Sequence, residues 1–347
     1  MTALFLSFHG VHISVACDDA FILSELKFDF SAFLRAELET IHCRIQIQTV
    51  SPSQIAIPSL VETMRSARFV VYDDKLRRYI DYQGKVLSVH DYSLERTEIY
   101  GEDLNALYEV TYLSILSRAG EKLDRRGIHR VHGLGLAFKN QGIIFLAKPG
   151  TGKSTLLMGL LSEPDVQLYS EDTPLLDRTG KMLPFPFRLG VAEPNLTMGI
   201  PAEWRRTRVN SFGKSKVLIN AIFFRDQIAA QGVIPRWLVA LSWTTAPSPS
   251  ITKLSRLRAY RLLIRDCVIG LGVPQLAELF VTFRAKDIAA KSLILTSRLI
   301  AITRLVFRVV PSQLNLCRDN IQNVELLRLH LKLESESAIS DQRFSTG

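Results

Sequence analysis

Residues 147–155 read Ala-Lys-Pro-Gly-Thr-Gly-Lys-Ser-Thr, a glycine-rich segment that ends in Gly-Lys-Ser. An apolar run at 143–146 precedes it and another at 156–158 follows it. A strand, a glycine-rich turn and a helix in this order form a P-loop, whose backbone N–H groups surround a phosphate. The sequence therefore predicts a binding site for a nucleoside triphosphate with Mg²⁺.

Each residue of the loop has an expected part in nucleotide binding. Lys153 is expected to reach the β- and γ-phosphate oxygens and to assist catalysis, and the Ser154 hydroxyl is expected to ligate Mg²⁺. The usual first glycine is replaced by Ala147, at a position that the preceding strand can hold extended. The residues expected to bind the nucleotide are Ala147, Lys148, Pro149, Gly150, Thr151, Gly152, Lys153, Ser154 and Thr155.

Two acids follow the loop at a spacing that suits phosphoryl transfer. Glu171 and Asp172 end a predicted strand at 166–170, eighteen and nineteen residues beyond Lys153. If that strand is the parallel neighbour of the loop strand, their ends lie about 5 Å apart. One acid would then hold the metal and the other would accept a hydroxyl proton. The alternative is a carboxylate pair that only caps a helix or lies in a loop.

A histidine precedes the loop by a comparable interval. His132-Gly133 lies on a predicted strand, twenty-one residues before Lys153. His132 could hydrogen-bond to one of the two acids, although a histidine at such a place is more often structural.

Together these segments resemble the catalytic domain of the HPr kinase/phosphorylase family, whose P-loop fold is related to phosphoenolpyruvate carboxykinase. The resemblance covers residues 130–177, from Val131-His132-Gly133 through the loop to Tyr169-Ser170-Glu171-Asp172. It implies an ATP- and Mg²⁺-dependent kinase that phosphorylates a serine of a protein or peptide. It also implies that Glu171 is the general base, that Asp172 lies on the metal side, and that His132 lies beside the base.

Three departures separate the chain from the sugar-regulation enzyme of that family. The first acid of the pair is Glu171 where the family has Asp, and the interval to the pair is one residue longer. The family's Glu-x-Arg-Gly-x-Gly element, tied to the reverse reaction, does not occur in residues 173–200. The closer resemblance is therefore to related kinases that phosphorylate a serine of a precursor peptide.

The charge and cysteine patterns narrow the possible partners. The formal net charge is +9, and residues 253–308 contain eleven Lys/Arg against three Asp/Glu. No nucleic-acid-binding motif accompanies this charge, so we expect a solvated surface that helps hold the nucleotide and no nucleic-acid partner. Four cysteines lie far apart without a C-x-x-C, which predicts neither a zinc site nor a redox pair.

Composition also bears on location. No run of eighteen apolar residues occurs, so no transmembrane segment is predicted. Ser14–Cys17 resembles a lipoprotein cleavage site, but no Lys or Arg precedes it. We therefore expect a cytoplasmic protein, and the apolar segment at 293–302 suits either the core or a homo-oligomer interface.

The expected fold class is α/β, with a smaller α+β domain before a P-loop domain of the HPr kinase and phosphoenolpyruvate-carboxykinase type. Residues 68–100 predict an antiparallel meander and residues 103–124 an amphipathic helix. The predicted boundaries are 1–126 for the N-terminal domain, whose role is open, 127–330 for the kinase domain and 331–347 for a polar tail.

Two other functions are compatible with the same motifs. Shikimate-type small-molecule kinases place acids at a similar interval after the P-loop lysine, but they begin almost at the loop. The second alternative is a nucleotide-binding regulatory module with little turnover. The change from the family's aspartate to Glu171 is compatible with such low turnover.

Overall fold

The computed structural model describes residues 2–74, 76–209, 215–270 and 285–344. Across these residues the protein is mixed α/β with several sheets. The described parts of Met1–His129 and Gly272–Thr296 form one compact unit, and those of Arg130–Leu271 and Ser297–Gly347 form a second. No helix among the described residues is both long and apolar enough to cross a membrane.

The first unit is built on a nine-stranded sheet, whose strands are Thr2–Phe8 (β1), Val11–Cys17 (β2), Leu34–Arg35 (β3), Cys43–Gln48 (β4), Glu62–Arg65 (β5), Val70–Asp73 (β6), Arg77–Tyr82 (β7), Val86–Asp91 (β8) and Arg96–Gly101 (β9). The strand order is β3-β1-β2-β4-β9-β8-β7-β6-β5. Neighbouring strands are antiparallel except at β2–β4 and β4–β9, which are parallel. The meander predicted for 68–100 is confirmed, since β6 to β9 pair in sequence order.

Two helices, Ala20–Asp29 (α1) and Leu104–Arg125 (α2), pack in this unit, with short helical turns at Ser31–Phe33 and Pro52–Gln54. The predicted helix at 103–124 is thus confirmed to within one residue. Asp103 begins α2 by accepting hydrogen bonds from the N–H groups of Asn105 and Ala106. The buried residues of α2, among them Leu107, Ile115 and Leu123, recur at helical spacing and form its packed face.

Beneath α2 lies a buried polar cluster. His90 on β8 is only 5% exposed, and its Nδ1 hydrogen-bonds to Thr97 Oγ1 at 2.9 Å. Burial, aided by the nearby charges of Arg118 and Lys122, lowers the pKa of His90 to about 2. His90 is therefore neutral in the folded protein at any ordinary pH.

This neutral histidine predicts a loss of stability in mild acid. The unfolded chain takes up the proton near the ordinary pKa of 6.5, whereas the folded chain does so only near 2. Above pH 6.5 the histidine is neutral in both states and its titration costs no stability. Below pH 6.5 the free energy of unfolding falls by up to about 1.4 kcal/mol per pH unit. Urea unfolding between pH 7.5 and 5 should show a shallower decline in His90→Gln than in the wild type. Equal slopes would contradict the prediction, and His9→Gln, at an exposed histidine, is the control.

The second unit contains a six-stranded sheet, formed by Leu134–Phe138 (β11), Gln141–Leu146 (β12), Val166–Ser170 (β13), Pro235–Trp243 (β19), Ser250–Lys253 (β20) and Val310–Leu316 (β21). The strand order is β13-β11-β12-β19-β21-β20. Strands β12, β19 and β21 are parallel neighbours, and the other pairs are antiparallel. A strand at the unit boundary, Ile128–Arg130 (β10), precedes this sheet. Outside this sheet, Leu175–Asp177 (β14) pairs with Met182–Leu183 (β15). A separate three-stranded sheet is formed by Leu189–Val191 (β16), Arg205–Val209 (β17) and Ser215–Ile219 (β18).

Two helices, Lys153–Leu160 and Asn320–Phe344, pack apolar side chains into the core of the six-stranded sheet. Its core contains Phe145, Leu156, Leu168, Trp237 and Leu314, all fully buried. The helices after β12 are Lys153–Leu160 (α3), Arg256–Leu263 (α4) with a π-helical turn at Ile264–Ile269, Ala285–Arg308 (α5) and Asn320–Phe344 (α6), and short helical turns lie at Pro194–Thr197, Ala202–Trp204 and Ala221–Gln227. The part of α5 before Ser297 belongs to the first unit. The predicted polar tail overlaps α6, and Leu331 within it is buried.

The expected pairing of β13 beside the loop strand is wrong. β11 lies between β12 and β13 and is antiparallel to both. The strand ends are therefore two strand spacings apart, about 10 Å rather than 5 Å. Because both strands run opposite to β11, they run in the same direction and still end at the same edge of the sheet.

Candidate functional site

The glycine-rich loop connects β12 to α3 through two residues with left-handed backbone. Gly150 has φ +80° and Gly152 has φ +86°, a region that disfavours a side chain. The hydroxyl and N–H of Thr151 both donate to the Lys148 carbonyl, at 2.6 and 3.2 Å, which closes the turn. The glycines of the sequence motif thus occupy positions where the backbone requires them.

The loop ends at the N-terminus of α3. Gly152 is the N-cap of the helix, and its carbonyl accepts the first intrahelical bond, from Leu156 N at 2.9 Å. The N–H groups of the first turn have no intrahelical acceptor and point out of the helix end. A helix end of this kind, next to a glycine-rich turn, suits a phosphate group.

Lys153 connects the loop to the acid pair. Its Nζ donates to Asp172 Oδ1 at 2.5 Å and to the Glu171 carbonyl at 2.8 Å. The same Nζ lies 3.8 Å from Glu171 Oε1. Burial by itself would lower the pKa of Lys153, but the charges of Glu171 and Asp172 outweigh it and raise that pKa. The lysine is therefore cationic and held between loop and carboxylates.

Ser154 and Glu171 form the second link across the site. The Ser154 hydroxyl donates to Glu171 Oε1 at 2.6 Å. The Glu171 side chain is 11% exposed, whereas that of Asp172 is 40% exposed. Of the two acids, Glu171 is thus the one that contacts the predicted metal-ligating serine.

Asp172 lies between Lys153 and His132. His132 Nδ1 is 3.7 Å from Asp172 Oδ1, and no hydrogen-bond partner of this nitrogen occurs among the described residues. Burial alone would raise the pKa of Asp172, but Lys153 and His132 lower it overall. The carboxylate is ionised and more open to solvent than Glu171.

The His-Gly pair has a structural explanation in the backbone. Gly133 N donates to the Asp172 carbonyl at 2.9 Å, and His132 N donates to the Asp266 carbonyl at 2.9 Å. A Cβ on Gly133 would lie 2.4 Å from the Phe145 carbonyl oxygen, so no other residue fits there. The glycine allows the strand to approach the end of β12 and brings His132 to the acids.

All the predicted site residues therefore meet at one edge of the sheet. The loop residues Ala147 to Thr155 are contiguous there, and Lys153 reaches across the intervening β11 to the acids. Glu171 and Asp172 follow directly on β13, whose last residue, Ser170, is fully buried. Its hydroxyl accepts a hydrogen bond from Thr173 N at 3.1 Å and shapes the turn that carries the acids.

Sequence reasoning missed several residues that contact the loop. Trp243 Nε1 donates to the Gly150 carbonyl at 3.2 Å, and Asn320 Nδ2 donates to the Thr155 carbonyl at 3.0 Å. The Thr155 hydroxyl lies 3.3 Å from Glu193 Oε1. No motif marks these residues, although the apolar run that ends at Trp243 is typical of a buried parallel strand.

The residues fit a nucleotide with Mg²⁺ better than a metal held by protein alone. Among the described residues, no group of three or more His, Cys, Asp or Glu could hold a metal ion. Mg²⁺ is usually bound through one or two carboxylates together with phosphate oxygens and water. The Ser154 hydroxyl and the Glu171 carboxylate lie 2.6 Å apart beside the loop, and their oxygens are suitable protein ligands for Mg²⁺.

Comparison with known proteins adds a distant likeness. No protein-family model and no curated protein matches the sequence. Among solved structures, the Hpr(Ser) kinase/phosphatase from Coxiella burnetii matches 36% of this chain and 76% of its own, with 14% sequence identity and a TM-score of 0.22. This is a distant structural resemblance to a kinase/phosphatase, too weak to establish a shared fold.

Proposed function

We propose that the chain is an ATP- and Mg²⁺-dependent kinase that transfers the γ-phosphoryl group to a serine hydroxyl of a protein or peptide. The observation that carries the proposal is the convergence of Lys153, Ser154, the two acids and His132 beside a glycine-rich loop. Residues 127–330 would form the kinase domain. The choice of serine as acceptor rests on the motif resemblance to HPr kinases.

The contacts favour roles for the two acids that are the reverse of those the family resemblance implies. Glu171 accepts a hydrogen bond from Ser154, so we assign Glu171 and Ser154 to the metal. Bound there, Mg²⁺ would neutralise charge on the β- and γ-phosphates. Asp172 is the more exposed acid and has His132 beside it, so we assign Asp172 as the base that meets the acceptor hydroxyl.

Lys153 would link nucleotide binding to the proton affinity of Asp172. A triphosphate in the loop competes with Asp172 for the Lys153 ammonium. Because Lys153 lowers the pKa of Asp172, its transfer to the phosphates raises that pKa and makes the carboxylate a better proton acceptor. Asp172 then takes the hydroxyl proton as the new oxygen–phosphorus bond forms and ADP leaves.

The test is transfer of labelled phosphate from γ-labelled ATP with Mg²⁺ to an array of serine peptides, with alanine-substituted peptides as matched controls. The expected result is labelled serine and one ADP per phosphate transferred. Label on a small alcohol instead would support a small-molecule kinase. Binding of ATP without transfer or hydrolysis would support a regulatory module, and absence of ATP binding would overturn all three functions.

A further inference from the structure

A cleft of about 410 Å³ lies next to the outer part of the glycine-rich loop. One wall is the loop from Ala147 to Thr151, and the floor is the carboxyl ends of β12, β19 and the facing part of β21. Arg258, Leu262 and Arg265 of α4 and the π-helical turn form the opposite wall. Its volume is within the range of small-molecule sites, and ligands of α/β sheets bind at this edge.

Trp243 forms the rim of this cleft and is fixed against the loop. Its indole N–H donates to the Gly150 carbonyl. The ring also lies against Gly152, since a Cβ added to that glycine would be 3.3 Å from Trp243 Cζ2. The residue is nevertheless 53% exposed. One edge of the ring is thus held by the backbone of the glycine-rich loop, and the rest of the ring is open to a ligand.

The other cleft residues have the chemistry of a nucleoside site. Ala240, Leu241 and Leu262 supply apolar surface. Lys148 and Arg258 are exposed, and no carboxylate among the described residues pairs with either side chain. A flat aromatic ring, apolar walls and two unpaired cations together suit a planar base attached to a polyphosphate.

We propose that this cleft is the nucleobase subsite and that Trp243 is the platform on which the base stacks. The inference rests on the proposed function, since it extends the same nucleotide site beyond its phosphates. The cleft and the loop share residues 147–151, so a nucleotide with its phosphates on the loop enters the cleft directly. Trp243 then has two contributions, a hydrogen bond that positions the loop and a ring face that contacts the base.

The experiment separates these contributions by comparing MgATP with magnesium tripolyphosphate, which has no base. Binding of each is measured by isothermal titration calorimetry to the wild type, Trp243→Ala and Trp243→Phe. Trp204→Phe, at a partly buried tryptophan of the same unit that lies outside the cleft, is the control. Trp243→Phe loses the hydrogen bond to Gly150 but keeps an aromatic face.

Trp243→Ala is expected to weaken MgATP binding by about 10- to 100-fold, as loss of base stacking does, and to change tripolyphosphate binding by less than about threefold. Trp243→Phe should retain most of the affinity for MgATP. Equal weakening of both ligands, or an unchanged affinity for MgATP, would overturn the subsite. Failure of the wild type to bind either ligand would instead overturn the proposed function and the subsite with it.

Discussion

Replacing Lys153 with alanine is expected to lower the rate of phosphoryl transfer by at least about 10²–10³-fold, the usual effect of losing one hydrogen-bond donor that stabilises the transition state. Lys153 is the cation placed between the glycine loop and the acids, within 2.5 Å of Asp172 Oδ1. Its removal takes away the contact to the phosphates and leaves two neighbouring carboxylates without their cation. Single-turnover transfer from γ-labelled ATP measures the loss.

The matched control is Lys148→Ala in the same loop. Lys148 is exposed, and its side chain lines the cleft rather than the acid pair. Lys148→Ala should therefore reduce the affinity for ATP modestly and leave the rate at saturating ATP near that of the wild type. Transfer that is undiminished in Lys153→Ala would remove the basis of the proposed function.

Local features of the fold could be predicted from sequence because short-range patterns determine them. Helix α2 has its cap at Asp103 and apolar residues at helical spacing, and β13 is a short, mostly apolar segment before two acids. The order of strands was not predictable in the same way. β11 enters the sheet between β12 and β13 through pairings that no local pattern specifies, so the predicted neighbourhood was wrong.

The candidate site shows the same limit at the level of side chains. Motif spacing brings Glu171 and Asp172 to the same edge of the sheet as the glycine-rich loop, because both follow a strand that runs in the direction of β12. It does not determine which carboxylate faces Ser154, since adjacent residues after a strand point in different directions. Trp243 was missed for a related reason: it reaches Gly150 only through the parallel pairing of β12 with β19.

The acid pair gives the second large effect, with different consequences for each acid. Asp172→Asn removes the proposed base but preserves the shape of the side chain. The transfer rate should fall by about 10²–10⁴-fold, the usual contribution of a general base. The Mg²⁺ concentration that gives half-maximal rate should change little, because Ser154 and Glu171 remain in place.

Glu171→Gln is expected to act on the metal instead. A neutral amide at 171 can still accept a hydrogen bond from Ser154, but it loses the negative charge that attracts Mg²⁺. The half-maximal Mg²⁺ concentration should therefore rise at fixed ATP, and part of the lost rate should return at high Mg²⁺. Asp172→Asn should show no such recovery, which makes the response to Mg²⁺ the deciding measurement.

The outcomes distinguish three arrangements of the site. Recovery with Mg²⁺ in Glu171→Gln alone supports the contacts seen here, in which Ser154 and Glu171 are 2.6 Å apart. Recovery in Asp172→Asn alone would restore the assignment that the family resemblance implies, with Glu171 as base. Undiminished transfer in both variants would make the acids structural partners of Lys153, since an ion pair of this kind also anchors a lysine without any catalysis. The kinase proposal would then lose its base and its metal ligand together, and nucleotide binding alone would remain for the glycine loop.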